Sequence, residues 1–284
     1  MRKIGLIFTN ISGEMIKLSA SIVVYKHKPL ELSKLIQEFC QISAFEVKLF
    51  VVDNSPFQSD FSAVDSTGKL EYIFAGSNLG YGKAHNIAIQ RSLQDSQYHL
   101  VLNPDIEFNA EALVKLIQYL DSHPNVGLIM PKITYPDGET QYLCKQLPGP
   151  SDLIFRRFVP GFLKGIMEKR MNQYELKHRD YNQIMQVANL SGCFMLMRCD
   201  ALKYTGLFDE GFFMYLEDTD LSRRINQQYQ TIYYPEVSIV HHYQKGSYKN
   251  PKLLWYHINS AIRYFNKWGW FFDPGRKTIN QVMP

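Results

Sequence analysis

Short apolar runs that stop abruptly in turn-forming residues recur through the first half of the chain. Residues 21–25 (Ser-Ile-Val-Val-Tyr), 47–52 and 70–74 are such runs, and 100–102 (Leu-Val-Leu) opens another. Runs of this length and Val/Ile/Leu content read as strands buried on both faces, as in a parallel sheet. Between them the apolar spacing changes to that of helices. Leu32, Leu35, Ile36 and Phe39 mark a helix to about Cys40, with Pro29 suited to its first turn; Ala84, Ile87, Ala88 and Leu93 mark a second. Strand, helix and strand in this order form a right-handed βαβ unit, so the class is α/β.

After the central run come 110–120, helical with Asn109 as N-cap, then a strand at 126–131 and a hairpin-type turn at 135–139. The rhythm breaks over 146–186, where prolines and glycines mix with Phe155-Arg156-Arg157-Phe158 and further basic and apolar residues. Strand order returns at 193–197, with Asp200 expected to cap a short helix. An acidic helix start at Glu217-Asp218-Thr219-Asp220 follows, and then two strand-like runs at 231–235 and 237–240. Residues 253–270 form an aromatic-rich helix.

The pattern divides into a loosely attached N-terminal extension (1–17), read as an extra edge strand, a main domain (18–246) and a C-terminal helical tail (247–284). Within the main domain, a half at 18–108 precedes a half at 109–246, and the insertion at about 146–186 covers a site or lies on an anionic membrane surface. With 284 residues and a net charge of +4, the chain can bury a large core and carries no nucleic-acid motif. Cys40, Cys144, Cys193 and Cys199 lack metal-site spacing and read as reduced cytosolic thiols. No apolar run spans a bilayer, and residues 1–15 lack the features of a secretory signal.

Chemistry concentrates where strands end. Pro104 stops the central strand, so Asp105 sits past the carboxyl end of a strand, where open α/β sheets bind ligands. A carboxylate on such a turn can hold a divalent cation bridging phosphates. Asp53 ends an earlier strand in the same way. Asn78-Leu79-Gly80-Tyr81-Gly82-Lys83 lets backbone approach a ligand. If Glu217 and Asp218 point into a cleft, one carboxylate gains a raised pKa and can act as a base. Taken singly, each of these features is also an ordinary turn, an acidic first helical turn or, at His241, a packed histidine.

In order, Val24-Tyr25, Asp53-Asn54-Ser55, Asn78 to Gly82, Asn103-Pro104-Asp105, Ser191-Gly192, Phe208-Asp209, Glu217-Asp218 and Val240-His241 resemble the inverting family-two glycosyltransferases of the GT-A fold, and among them the rhamnosyltransferase-like branch. The resemblance covers about residues 19–246. It implies a GT-A fold and a divalent cation, Mg²⁺ or Mn²⁺, held by Asp105 and His241. It implies a nucleotide-sugar donor contacted by Val24, Tyr25, Asp53, Asn78, Gly82, Lys83, Asn86, Asn103 and Asp105. Asp218 becomes the base and Glu217 the acceptor-orienting residue. The acidic motif of the family usually has two aspartates; here Asn103 replaces the first. The acceptor implied is a glycan or lipid-linked glycan, the site cytoplasmic with peripheral membrane contact, and the donor dTDP-rhamnose. Donors such as UDP-glucose or UDP-galactose, and a non-catalytic nucleotide- or carbohydrate-binding module, stay open as alternatives. A nucleotidyltransferase lacks support, because no basic glycine-rich loop follows the first strand.

Overall fold

The computed structural model describes residues 8–9, 13–64, 67–155, 164–243 and 251–282. Strands β1 (Lys17–Val24), β2 (Glu46–Asp53), β3 (Leu70–Phe74) and β4 (Tyr98–Leu102) run parallel in the order β3–β2–β1–β4. Parallel neighbours need crossovers, and α1 (Ser33–Cys40) and α2 (Tyr81–Asp95) supply them. Helix α1 buries Leu35, Ile36 and Phe39, while α2 sets Ala84 and Ala88 against Phe50 and Val52. Small residues on α2 let it lie close to the sheet. From β1 the chain steps to β2 on one side, and β4 joins β1 on the other. The carboxyl ends of β1 and β4 therefore flank a topological switch point.

Beyond β4 the sheet changes direction. Strand β8 (Phe194–Arg198) pairs antiparallel with β4 and with β6 (Val126–Thr134). Strand β6 runs parallel to β9 (Gln230–His241), and β5 (Ile106–Glu107) and β7 (Met185–Gln186) pair antiparallel with β9. All nine strands among the described residues belong to one sheet. Helix α3 (Ala110–Ser122) is capped by Asn109, whose side chain accepts from the Ala112 amide at 2.9 Å.

The remaining helices are α4 (Pro150–Phe155), α5 (Lys164–Tyr174), α6 (Cys199–Thr205), α7 (Glu217–Ile225), α8 (Pro251–Trp268) and α9 (Pro274–Val282). No helix among the described residues is long and apolar enough to cross a membrane.

Three expectations change. The runs at 231–235 and 237–240 are one strand, β9, whose register against β6 shifts between Pro131 and Lys132. Pro235 cannot donate to a ladder, and the strand passes it by an irregularity instead of ending. Asp200 does not cap α6; Arg198 occupies the N-cap and Asp200 lies in the first turn. The N-terminal extension adds no paired edge strand among its described residues. Phe8 packs on Phe45, and Thr9 bridges Met15. Residues 156–163, which hold most of the basic-aromatic run, and the domain boundary at 246 lie outside the described residues.

Candidate active site

The turn after β4 is fixed from two sides. The Asn103 amide donates to the Cys193 carbonyl at 2.9 Å, and the His242 amide donates to the Asp105 carbonyl at 2.9 Å. Pairing of β5 with β9 sets Ile106 opposite His241, which brings the His241 ring to Asp105. Nε2 of His241 stands 3.3 Å from Oδ1 of Asp105. Behind the ring, Nδ1 lies 2.9 Å from Oε1 of Gln141. The Gln141 amide nitrogen donates to the carbonyls of His241 (2.8 Å) and Thr134 (3.3 Å), so its oxygen must be the acceptor. The proton is therefore assigned to Nδ1, and Nε2 turns a lone pair towards Asp105.

Asp105 Oδ1 and His241 Nε2 are both buried, and neither has a hydrogen-bond partner. Two lone-pair atoms facing each other repel unless a cation lies between them. Two ligands about 2.1 Å from one ion and at right angles stand about 3 Å apart, close to what is seen here. No third His, Cys, Asp or Glu completes a cluster among the described residues. A two-ligand site of this kind suits an ion that draws its other ligands from water and substrate phosphates.

The second pair of acids opens α7, which begins at Glu217 after two residues with positive φ, Tyr215 (72°) and Leu216 (67°). Left-handed backbone at non-glycine residues is unfavourable and persists only where packing imposes it. Leu216 is buried with Phe212, Tyr264 and Phe265, and the Ser260 hydroxyl donates to the Met214 carbonyl at 2.8 Å. The strained entry fixes where the two acids point. Asp218 Oδ2 accepts from the Gly192 amide at 2.9 Å and Oδ1 from the Thr219 amide at 2.7 Å. Glu217 is buried, its Oε2 has no partner, and burial followed by the neighbouring Asp218 charge pushes its pKa well up.

Tyr81 joins the two sides. Its hydroxyl donates to the Gly192 carbonyl at 2.6 Å and lies 3.2 Å from Asn103 Oδ1. Burial raises its pKa, and the charges of Glu217, Asp218 and Asp105 add to that. The buried Cys193 thiol is raised to about 12, chiefly by burial, with both Asp105 and Asp218 contributing. Asp105 and Asp218, 113 positions apart in sequence, thus act on the same two side chains, Tyr81 and Cys193.

The other expected residues divide into two groups. At the open end, Tyr25 is 45% exposed, and Val24 lies buried below it. Asn78 lies near them; its Oδ1 accepts from the Gly80 amide at 3.0 Å. Asp53 is fully buried at the end of β2, where its oxygens accept from the Ser55 amide (2.8 Å) and the Tyr72 hydroxyl (2.7 Å). Gly80 has φ +88°, and a Cβ there would strike the Phe213 carbonyl.

The second group faces the Phe208 loop instead. A Cβ on Gly82 would meet the Phe208 side chain, and Asn86 exchanges hydrogen bonds with the Phe208 backbone at 2.9 and 3.1 Å. Lys83 pairs with Glu210 at 3.3 Å. These three residues tie α2 to the segment leading to α7. Asn86, 3% exposed, is committed there by its bonds to Phe208.

Sequence reasoning missed Tyr81 and Gln141 as site residues. Tyr81 lay inside a quoted motif, but nothing marked its hydroxyl as the bridge. Gln141 sits after a hairpin and carries no local signal at all.

A parallel half-sheet with an acidic turn at its switch point, continued by an antiparallel strand and faced by a second pair of acids, is the layout of a GT-A glycosyltransferase. The family model of Glycosyl transferase family 2 matches residues 19–206, and the chain belongs to that family.

Among similar proteins, N-acetylglucosaminyl-diphospho-decaprenol L-rhamnosyltransferase of Mycobacterium tuberculosis is 25% identical over 90% of this chain and 87% of its own. Rhamnosyltransferase WbbL of Escherichia coli is 26% identical over 86% of this chain and 91% of its own. Among solved structures, GalNAc-T7 with UDP, GalNAc and Mn²⁺ superposes with a TM-score of 0.61 at 14% identity, over 89% of this chain. This chain spans 49% of that protein's length. The mannosyltransferase PcManGT from Pyrobaculum calidifontis, in complex with GDP-Man and Mn²⁺, gives 0.56 at 16% identity, over 93% of this chain and 68% of its own.

Proposed function

We propose that the enzyme transfers rhamnose from dTDP-rhamnose, with inversion, to a hydroxyl of a lipid-linked glycan intermediate in surface-polysaccharide assembly of the O-antigen kind. The observation that supports the transfer reading is the hydrogen-bonded link from the Asn103–Pro104–Asp105 turn, which carries the Asp105–His241 pair, through Tyr81 and Gly192 to Asp218. Rhamnose and the lipid-linked acceptor rest on the two rhamnosyltransferases that align along most of the chain. Transfer from UDP-glucose or UDP-galactose is the alternative.

In this reading Asp105 and His241 hold Mg²⁺ or Mn²⁺, which when bound neutralises charge on the leaving diphosphate. Gln141 keeps the His241 lone pair turned to that position. The nucleotide lies over Tyr25 and Asn78 with Val24 and Asp53 behind them, and Asn103 borders the diphosphate. Asp218 Oδ2 retains a lone pair beside its bond from Gly192 and takes the proton of the acceptor hydroxyl as the new bond forms. Glu217, kept protonated by burial, orients the acceptor as a neutral donor. A single displacement with one base inverts the anomeric carbon and needs no covalent sugar–enzyme intermediate. An acceptor on a lipid carrier puts the enzyme in peripheral contact with a membrane.

The test is thermal unfolding against a panel of dTDP-, UDP- and GDP-sugars with Mn²⁺, coupled to nucleotide release with an acceptor preparation. A ligand that binds only the folded state raises its midpoint. Strongest stabilisation by dTDP-rhamnose, and release abolished in Asp105→Ala, is the expected result. Stabilisation by UDP-hexoses alone overturns the donor. Stabilisation without release under any condition leaves a binding module.

A further inference from the structure

The turn between α8 and α9 exposes what the rest of the chain buries. Phe271 and Phe272 are 80% and 92% exposed, next to Trp270. Along α8, Trp255, Ile258 and Ile262 stand exposed at helical spacing on one face. The Trp270 ring nitrogen donates to Asn266 Oδ1 at 2.9 Å, which extends that face into the turn. The opposite face of α8 packs Tyr264 and Phe265 against Phe212 and Leu216.

The turn is held rigidly. Gly269 has φ +103°, and a Cβ there would strike the Phe272 carbonyl, so this backbone path suits glycine. The next residue, Asp273, forms a two-pronged pair with Arg223 at 2.6 and 2.5 Å, with both side chains buried. Arg223 lies on α7, the helix that begins with Glu217 and Asp218.

The charge of this region is one-sided. Residues 247–284 contain Lys249, Lys252, Arg263, Lys267, Arg276 and Lys277 but a single acid, Asp273. That acid is neutralised by Arg223. The tail thus carries +5 of a chain whose net charge is +4. Arg263 and Lys267 are held by Asp209, whereas Arg276 donates to the carbonyls of Pro148 and Phe271, which do not cancel its charge. A second copy of the same surface would bring like charge against like charge.

We propose that the 269–273 turn and the outer face of α8 dock on an anionic phospholipid bilayer. The two phenylalanine rings enter the interface, and the surrounding cations meet lipid phosphates. This deepens the reading of a lipid-linked acceptor and rests on it. Because Phe272 adjoins the Asp273–Arg223 pair, the docked turn fixes the height of Glu217 and Asp218 above the lipid surface.

Sedimentation of the full chain with phosphatidylglycerol–phosphatidylethanolamine vesicles, against phosphatidylcholine vesicles, tests this. No donor or acceptor is present, so the outcome is independent of transfer activity. Wild type should partition onto the anionic vesicles at low salt and leave them at high salt. Phe271→Ser/Phe272→Ser should lower partition at least about tenfold, since two rings lose their apolar burial. Its unfolding midpoint should stay that of wild type. Lys277→Glu, a surface change that leaves both rings in place, should lower partition severalfold. The proposal is overturned by wild type staying in solution at low salt, by equal partition of the double variant, or by equal binding to both lipids. Light scattering that shows a wild-type dimer split by the double substitution would also overturn it, since a second copy would then cover the face.

Discussion

Gln141 and His241 exchange two hydrogen bonds: the ring Nδ1 meets Oε1 at 2.9 Å, and the amide nitrogen returns to the His241 carbonyl at 2.8 Å. This reciprocal pair sets the tautomer that leaves Nε2 bare opposite Asp105. Outer partners of metal-binding histidines typically matter 10–100-fold in affinity. Gln141→Leu should therefore weaken Mn²⁺ binding by about that factor, read by calorimetry in the presence of the nucleotide diphosphate. Mn²⁺ affinity unchanged by the substitution would show that His241 is held some other way or is not a ligand.

Glu217 is predicted to be a stability liability at neutral pH. Burial, and then the Asp218 charge, raise its pKa, so over the range between its unfolded and folded values the folded state holds a proton that the unfolded chain has released. Stability from this group falls as pH rises through that range, on the order of 1 kcal/mol per pH unit at most. Glu217→Gln removes the titration. Its unfolding midpoint should gain on wild type as pH rises above the unfolded carboxylate value of about 4.3. A variant that loses ground over the same range would mean that Glu217 is charged in the fold.

How far these features were legible in the sequence depended on whether the signal was local. Strands β1, β2 and β4 announced themselves because each contains a buried apolar run, as burial on both faces requires, and β3 is a shorter, half-buried run at the sheet edge. Asp105 and Asp218 stood out in the sequence because each ends or starts an element within a motif. Gln141 was invisible: its role comes from a β5–β9 pairing that joins positions more than a hundred residues apart. Lys83 and Asn86 stood in the right motif, but α2 turns their side chains to Glu210 and Phe208. The motif fixed the turn and not the direction of each residue after it. The aromatic-rich helix read at 253–270 ends two residues sooner, at Trp268, where Gly269 turns the chain, and the exposed Phe271 and Phe272 lie past the end of that reading.

The Arg223–Asp273 pair should dominate the attachment of the tail. Asp273→Ala strands the Arg223 guanidinium at a site with 4% side-chain exposure. Breaking a buried pair from one side costs about 3–5 kcal/mol. Adding Arg223→Met should recover much of that loss, because an apolar side chain leaves no unpaired charge. Chemical denaturation of the two variants decides it: a double variant as unstable as the single one would mean that the pair contributes geometry which packing cannot replace. Burial works against the Asp273 charge, but hydrogen bonds and charge from Arg223 outweigh it and lower its pKa. That stabilisation is present above the unfolded carboxylate value and is lost as pH falls through the folded one.

A second acid-sensitive element lies behind Tyr81. His85 and His99 are fully buried and share Ser21 at 2.7 and 2.8 Å, with Ser19 and Ser92 on the far nitrogen of His99. Burial lowers the His99 pKa to about 3, and burial followed by His99 lowers that of His85. Both stay neutral in the fold, while the unfolded chain takes up protons below about pH 6.5. Stability is complete above that pH and falls below it, by at most about 1.4 kcal/mol per unit for each ring. His99→Gln should flatten the dependence of the unfolding midpoint between about pH 6 and pH 4, a window above most carboxylate titration. An unchanged slope would assign the acid loss to other groups.

Asp218 is the residue on which the chemical step is staked. In Asp218→Asn the bonds from Gly192 and Thr219 can be kept only in part, because an amide offers one acceptor oxygen where the carboxylate offers two. Donor affinity should change little, since the proposed donor site lies on the Asp105 side of Tyr81. Transfer should fall by about 10²–10⁴, the usual contribution of a positioned base. The measurement is single-turnover transfer beside calorimetric donor binding, so that chemistry and binding are read separately. A fall in donor affinity with normal single-turnover rate would move Asp218 from proton transfer to donor recognition, and the base would have to be sought among other groups near Tyr81 and Gly192.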